Sequence, residues 1–400
     1  MRSMQTSWDI FCRVVDNYGD IGVCGRLARQ LAAEHGARVR LWVDDLAAFK
    51  RIWPDVAPER MTQSCLGIEI VRWTEPFPPA APADVVVEAF ACALPESYMR
   101  AMAERPAKPC WINLEYLSAE AWVGECHGLA SPDPRLPLTK YFFFPGFDAN
   151  TGGVLLERDL FRRRQAFQSD TQARAAFWRS LGLAPPDGTE TRLSLFCYPG
   201  SRAEMLFDCW REEAAPITCL APEGIAGDAI AAFFGQSAPA AGGGLRRGNL
   251  EVRVLPFLDQ ERYDCLLSAC DCNFVRGEDS FVRAQWAARP LVWQPYPQAE
   301  DAHLRKLAAF LERYCKDLPT AAAGAVRALW EAWSRAAGAG EAWPAFRAQN
   351  GVLARHALTW AASLRANGDG NGDGNGDENG NGNGGGDLAA RLVKFCSGKL

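Results

Sequence analysis

The chain has 400 residues, 48% of them hydrophobic, and a formal net charge of -5 spread as mixed signs along its length. That length exceeds one ordinary core and suits two α/β domains. The lack of a basic stripe speaks against a nucleic-acid partner. No apolar run nears the roughly 18 residues of a membrane span, and the N-terminal MRSMQTSWDI lacks a signal peptide's apolar core. A cytoplasmic protein with no membrane partner is the expectation.

Residues 10–15 read as a short apolar strand, followed by the turn Asp16-Asn17-Tyr18-Gly19-Asp20-Ile21-Gly22. Val23, Leu27 and Leu31 recur every four residues and so line one face of a helix. Asp16 and Asp20 therefore stand where a first strand hands over to a first helix, the edge at which open α/β sheets bind ligands. A second strand is expected at 39–43, and the Asp44-Asp45 pair before helical residues 46–49 reads as a cap in preference to a metal site. Further strands are expected at 66–71, 85–87, 110–114 and 141–144, and their alternation with helical stretches implies a mostly parallel sheet. Glu88 and Glu115, the latter followed by Tyr116, each close a buried strand. Either Glu alone reads as a helix start or a solvated loop, yet both fall at the sheet edge that Asp16 and Asp20 occupy.

Turn signals at 145–147 and 151–153, a charged amphipathic stretch at 157–183 and Pro/Gly residues at 184–188 mark 157–189 as an interdomain connector. It separates an N-terminal domain, 1–156, from a C-terminal one, 190–365. In the latter, strands are expected at 193–197, 217–220 and 252–255, with helices at 204–213 and 260–269. Residues 366–387, almost wholly Asn, Gly and Asp, read as a disordered linker, and 388–400 as a terminal helix that docks back on the body. The linker's DGNGDG imitates a calcium loop, but the twelfth position falls on Gly380 where a Glu is needed, so calcium is rejected. The 14 cysteines lie singly in apolar segments and read as buried, reduced hydrophobes; four histidines without an HExxH give zinc no support, and no metal is expected.

The densest polar constellation is the run from Asn273 to Trp286, NFVRGEDSFVRAQW. It sets Asp279 and Ser280 at a helix N-terminus, where unpaired amides bind anions, with Arg276 beside them as a fork of donors. Asp279 or Ser280 could cap that helix with no ligand at all, but Arg276, Glu278, Asp279 and Ser280 in one turn favour a diphosphate site. Phe196 in FCYPG and Phe257 in PFLDQ place rings just past strand ends, where each could stack on a nucleobase or pack in the core.

Taken together, VDNYGDIGVC, FCYPG, PFLDQERYD and NFVRGEDSFVRAQW resemble the EarP family, the protein-arginine rhamnosyltransferases that modify elongation factor P. The resemblance runs from residue 8 to about residue 362 and resumes at 388–396. It implies an α/β GT-B glycosyltransferase fold, two Rossmann-like domains facing across a cleft. It also implies inverting transfer of L-rhamnose from dTDP-β-L-rhamnose to an arginine of elongation factor P, with no cofactor beyond that co-substrate. By motif, Phe196 and Phe257 would sandwich the thymine, Tyr198 and Gln260 would contact the nucleoside, and Arg276, Asp279 and Ser280 would hold the diphosphate. Glu278 would lie near the sugar as a catalytic group. Asp16 and Asp20, with Asn17, Tyr18, Glu88, Glu115 and Tyr116, would serve the acceptor side.

This agrees with the chemistry. A guanidinium of pKa above about 12 is a poor nucleophile, so a carboxylate must take its proton or localise its charge. Asp20 is assigned as base and Asp16 as the orienting group, with the roles open to exchange; Arg276 and the helix amides would meet the leaving-group charge in place of a metal. The chain departs from the family pattern at Gly25, where Trp is expected and where Gly could loosen the helix that carries Asp20. It departs again at Ala93, where an acid is expected, and in the Asn/Gly/Asp tract. The alternatives are a GT-B transferase with another sugar nucleotide or acceptor, and a factor-binding protein without turnover. A nicotinamide dehydrogenase is disfavoured, since Gly19-x-x-Gly22 is not GxGxxG.

Overall fold

The computed structural model describes residues 5–16, 18–368 and 387–400, so Asn17 and the calcium-like part of the 366–387 tract lie outside the described residues. The chain forms two compact units, Met1–Arg158 with Ser363–Leu400, and Asp159–Ala362. Among the described residues, no helix is long and apolar enough to cross a membrane.

The first unit runs β1 (Ser7–Cys12), α1 (Gly19–His35), β2 (Arg38–Val43), α2 (Leu46–Ile52), β3 (Thr62–Cys65) and β4 (Ile68–Arg72). It continues with β5 (Val85–Ala89), α3 (Glu96–Glu104), β6 (Cys110–Leu114), α4 (Trp122–Cys126), β7 (Ala130–Pro132) and β8 (Thr139–Phe143). The sheet order is β3-β4-β2-β1-β5-β6-β8-β7, with only the edge strands β3 and β7 antiparallel. The parallel strands thus wind outward in both directions from β1, which makes the β1/β5 boundary the switch point of a Rossmann-like sheet.

Two expectations shift here. The strand expected at 10–15 runs from Ser7 to Cys12, because the amides beyond Cys12 bond to carboxylates and not to a ladder. The strand expected at 66–71 is a hairpin: Leu66 and Gly67 take φ of 50° and 82°, a two-residue turn with both centres left-handed, and β3 pairs back on β4. Polar Thr62 and Ser64 alternate with buried Gln63 and Cys65, so β3 carried too few apolar residues to register in the sequence.

A buried carboxylate ties this sheet together. Asp9, fully buried, accepts both Nε and Nη2 of Arg40 at 2.6 and 2.7 Å, Trp42 Nε1 at 3.2 Å, the Ala83 amide at 3.1 Å and the Tyr98 hydroxyl. Gly25 packs against α2, and a Cβ there would lie 3.2 Å from both the Phe49 and Trp53 rings. Gly25 thus marks a close approach of α1 to those two rings, which a side chain there would press on.

The second unit opens with α5 (Leu160–Ser169), α6 (Thr171–Ser180), β9 (Thr191–Leu195), α7 (Glu204–Trp210), β10 (Ile217–Pro222) and α8 (Gly227–Phe234). There follow β11 (Gly244–Arg247), β12 (Leu250–Leu255), α9 (Gln260–Ala269), β13 (Cys272–Arg276), α10 (Asp279–Ala287) and β14 (Leu291–Gln294). Helices α11 (Ala302–Tyr314), α12 (Thr320–Ser334), α13 (Ala339–Ala348) and α14 (Asn350–Gly368) follow, the last of them leaving this unit after Ala362. The sheet order is β11-β12-β10-β9-β13-β14, parallel apart from β11, and its switch point lies between β9 and β13. The segment read as a connector packs into this unit: Trp178 is buried with Leu181, Leu220, Leu255 and Leu266, and Gln168 donates to the Ser268 and Ala287 carbonyls. Behind the sheet, Phe274 lies 5.6 Å from Trp210 and 5.3 Å from Trp333, ring to ring.

The terminal helix α15 (Leu388–Ser397) docks on the first unit, packing on α1. Phe395 sits 5.7 Å from Tyr141 and 5.6 Å from Phe143, and Arg391 donates to the carbonyls of Asp148, Ala149 and Thr151. Asp387 caps the helix by accepting the Ala390 amide at 3.0 Å. Burial raises its carboxyl from 3.8 to about 6, and Glu34 and Glu157 add to the rise. The folded state therefore holds this proton more tightly than the unfolded chain, so the contribution is full below the ordinary value and is lost as pH climbs through about 6. Asp387→Asn keeps a cap acceptor and should raise the melting temperature at neutral pH while removing this loss between about pH 4 and about pH 6. Thermal unfolding across that range checks it, and a slope unchanged from the parent would refute the assignment.

Candidate functional site

In the first unit, Asp20 stands in the opening turn of α1 and is 1% exposed. Its Oδ2 accepts the amides of Val15 at 2.8 Å and Asp16 at 2.9 Å, and its Oδ1 accepts the Tyr116 hydroxyl at 3.1 Å. These bonds, with Asp44 holding the Val14 amide at 3.0 Å, carry residues 14–16 away from the sheet. Asp16 is half-buried, and its Oδ2 lies over position 19, 2.8 Å from where a Cβ would stand. The N-terminal end of α1 adds positive potential under both carboxylates. Tyr18 is half-buried at the helix start, and Val15 is 67% exposed beside it. Asp45 caps α2 through the Ala47 and Ala48 amides, as its position before a helix predicts.

The ends of β5 and β6 complete this edge. Glu88 is 3% exposed, and its carboxylate takes Trp111 Nε1 at 3.1 Å, Lys140 Nζ at 3.3 Å and the Ala93 amide at 3.3 Å. It braces the loop after β5 from inside. Glu115 accepts the Asn113 side-chain amide. In the loop itself Phe90, Ala91 and Ala93 take φ of 56°, 53° and 55°. Such residues cost about 1–3 kcal/mol each and gather where function requires them. Phe90 stacks on Tyr116, with centroids 4.3 Å apart and planes 13° from parallel. The sequence reading passed over Phe90, although the signal used for Phe196, a ring just past a strand end, applies to it equally.

In the second unit, the β9/β13 switch point gathers the other residues. Arg276, 6% exposed, places its guanidinium 4.5 Å from the centroids of both Phe196 and Tyr198 and donates to the Cys197 carbonyl at 2.9 Å. Ser280 locks the turn: its Oγ accepts the Arg276 amide at 3.2 Å and donates to the Arg276 carbonyl. Gly277 takes φ of 61°, and Trp293 Nε1 donates to its carbonyl at 2.7 Å. Glu278 occupies the N-cap position of α10 with no side-chain cap bond. The first turn of a helix is where backbone amides and the helix dipole can meet an anion.

Gln260 donates to Asp279 Oδ2 at 3.2 Å and so joins the starts of α9 and α10. Phe257 is half-buried after β12. Two rings that the sequence reading missed join the site. Tyr263 lies 5.8 Å from Phe196, with its phenol pushed up by burial and then by Asp279, and Tyr296 stands edge-on to Tyr198 at 5.5 Å. Among the described residues, no three His, Cys, Asp or Glu side chains gather as a metal site requires.

Comparison with known proteins places the chain among relatives of one family. The family model described as Elongation-Factor P (EF-P) rhamnosyltransferase EarP matches residues 8–372. The chain is 48% identical over 389 residues to a protein-arginine rhamnosyltransferase of Pseudomonas aeruginosa, covering 97% of this chain and 98% of that one. It is 47% identical over 366 residues to one of Pseudomonas putida, covering 92% and 97%. A structure solved to show the structural basis for EarP-mediated arginine glycosylation of translation elongation factor EF-P is 34% identical, with a TM-score of 0.68 over 99% of this chain and 100% of that one.

Because Asp20 satisfies two amides of the turn, Asp20→Ala should destabilise the protein by about 1–3 kcal/mol through the donors it leaves unmet. Denaturant unfolding measures this, and a midpoint equal to that of the parent would mean that the turn holds without the carboxylate.

Proposed function

The chain belongs to the EarP family of elongation factor P rhamnosyltransferases, and on that premise we propose that it transfers L-rhamnose from dTDP-β-L-rhamnose to an arginine of elongation factor P, in the cytoplasm and without a metal. It is a protein-arginine rhamnosyltransferase of the α/β GT-B fold. The finer reading is carried by one observation: each sheet presents, at its own switch point, the chemistry that one half of the reaction needs. The first holds paired carboxylates, the second aromatic rings, a guanidinium and a helix N-terminus. Fourteen cysteines with free thiols support a reducing compartment.

In the proposed reaction a guanidinium nitrogen bonds to C1 of the rhamnose as the bond from C1 to the diphosphate oxygen breaks, in one inverting displacement. The proton leaving that nitrogen goes to a carboxylate, since the guanidinium is otherwise charged and non-nucleophilic. Asp20, fixed in orientation by two amides and a phenol, is assigned as base, and the more open Asp16 orients the guanidinium; the two roles could be exchanged. The departing dTDP carries its charge to Arg276 and the α10 amides. Phe196, with Phe257, offers rings for the thymine, Tyr198 and Gln260 contact the nucleoside, and Glu278 stands next to the anion site for the sugar. Arg276 stacks on Phe196 and Tyr198 in this structure, so donor binding is expected to redirect its remaining donors.

Titration with sugar nucleotides tests the donor assignment. dTDP-β-L-rhamnose should bind more tightly than a uridine diphosphate sugar, and Phe196→Ala should weaken it by about tenfold or more, in line with base stacking worth about 1–3 kcal/mol. Tighter binding of the uridine nucleotide would instead favour a transferase of the same fold with another donor.

A further inference from the structure

We propose that Tyr116 is a positioning residue of the transfer, whose hydroxyl selects the lone pair of Asp20 that receives the arginine proton. The inference rests on the assignment of Asp20 as base. An ionised carboxylate offers about four acceptor sites, two on each oxygen. On Asp20 both sites of Oδ2 are taken by the Val15 and Asp16 amides, and one site of Oδ1 by the Tyr116 hydroxyl. The fourth, on Oδ1 beside the phenol, is taken by none of the described residues and is the one assigned to the substrate donor. Backbone amides fix Oδ2 whatever side chains surround it, so among the described residues the one side-chain bond to Asp20 is the one from Tyr116.

The fold holds that phenol in place. The Glu115 amide, bonded to the Phe143 carbonyl at 2.9 Å, sets the backbone path just past β6. The ring of Tyr116 lies flat on Phe90, at 4.3 Å and 13°. Phe90 is itself in the left-handed region, in a loop where Ala91 and Ala93 share that conformation. The loop is bound by the Phe90 amide to the Leu114 carbonyl at 2.7 Å and by the Ala93 amide to Glu88. Strained backbone of this kind persists where its surroundings enforce it, and here it delivers an aromatic face to Tyr116. The chain of contact thus runs from the buried Glu88 through the loop and Phe90 to Tyr116 and Asp20.

Tyr116→Phe retains the ring and its stacking while deleting the bond to Asp20. The expected result is a fall in kcat of about tenfold or more, the scale of a hydrogen bond to a charged group, with KM for dTDP-β-L-rhamnose and for elongation factor P within about twofold and an unchanged melting temperature. Phe90→Leu, which frees the phenol without removing it, should lower kcat in the same direction, and the double variant should lose less than the product of the two. An unchanged kcat in Tyr116→Phe would overturn the proposal, as would a rise in KM for the acceptor with kcat retained, since Tyr116 would then bind acceptor directly. Asp20→Asn in the same assay separates the two levels. If it is inactive while Tyr116→Phe turns over fully, the positioning role alone fails; if it turns over normally, the base assignment fails and this inference with it.

Discussion

The first unit's site depends on where the Asp20 carboxylate finds its partners. It is buried at the start of α1 and bonded to the amides of Val15 and Asp16. A carboxylate left without such donors in that position would be costly. The consequence is structural before it is chemical: β1 stops at Cys12, the chain turns away, and Asp16 lies over Gly19. The same carboxylate reaches β6 through Tyr116, so the first strand, the first helix and the far side of the switch point share one side chain.

Two sheets with the same winding meet their tasks with different chemistry. In the first, anionic groups gather over a helix N-terminus; in the second, Arg276 lies against the Phe196 and Tyr198 rings beside the start of α10, the chemistry proposed to take the nucleotide anion. Both arise at the carboxyl ends of strands where the order reverses, the one place in such a sheet where neighbouring loops diverge and leave room. Conformational strain is unevenly placed. It gathers in the loop after β5, held by the internally bonded Glu88, and the ring it presents clamps Tyr116.

Much of this could be read from residue order because apolar periodicity and turn residues encode it. The parallel strands, the helix over Gln260–Ala269, the docking of the terminal helix and the Asp45 cap all follow from local pattern. What escaped was set by partners distant in sequence. Glu88 looked like an edge carboxylate, and it is paired with Lys140 and accepts a hydrogen bond from Trp111 Nε1. The stretch 157–189 looked like a connector because it is charged and ends in Pro/Gly residues, yet Trp178 and Leu181 root it in a core. The β3 edge was invisible because a two-residue turn through Leu66 breaks what reads as one apolar run. Phe90 could have been found, since its position repeats that of Phe196.

The most direct measurement is intact-mass analysis of elongation factor P after incubation with this protein and dTDP-β-L-rhamnose, with fragmentation to locate any added group. The account predicts a gain of one deoxyhexose on an arginine side chain, lost when Asp20 is replaced by Asn. An elongation factor P of unchanged mass, or a deoxyhexose found on a residue other than arginine, would contradict it.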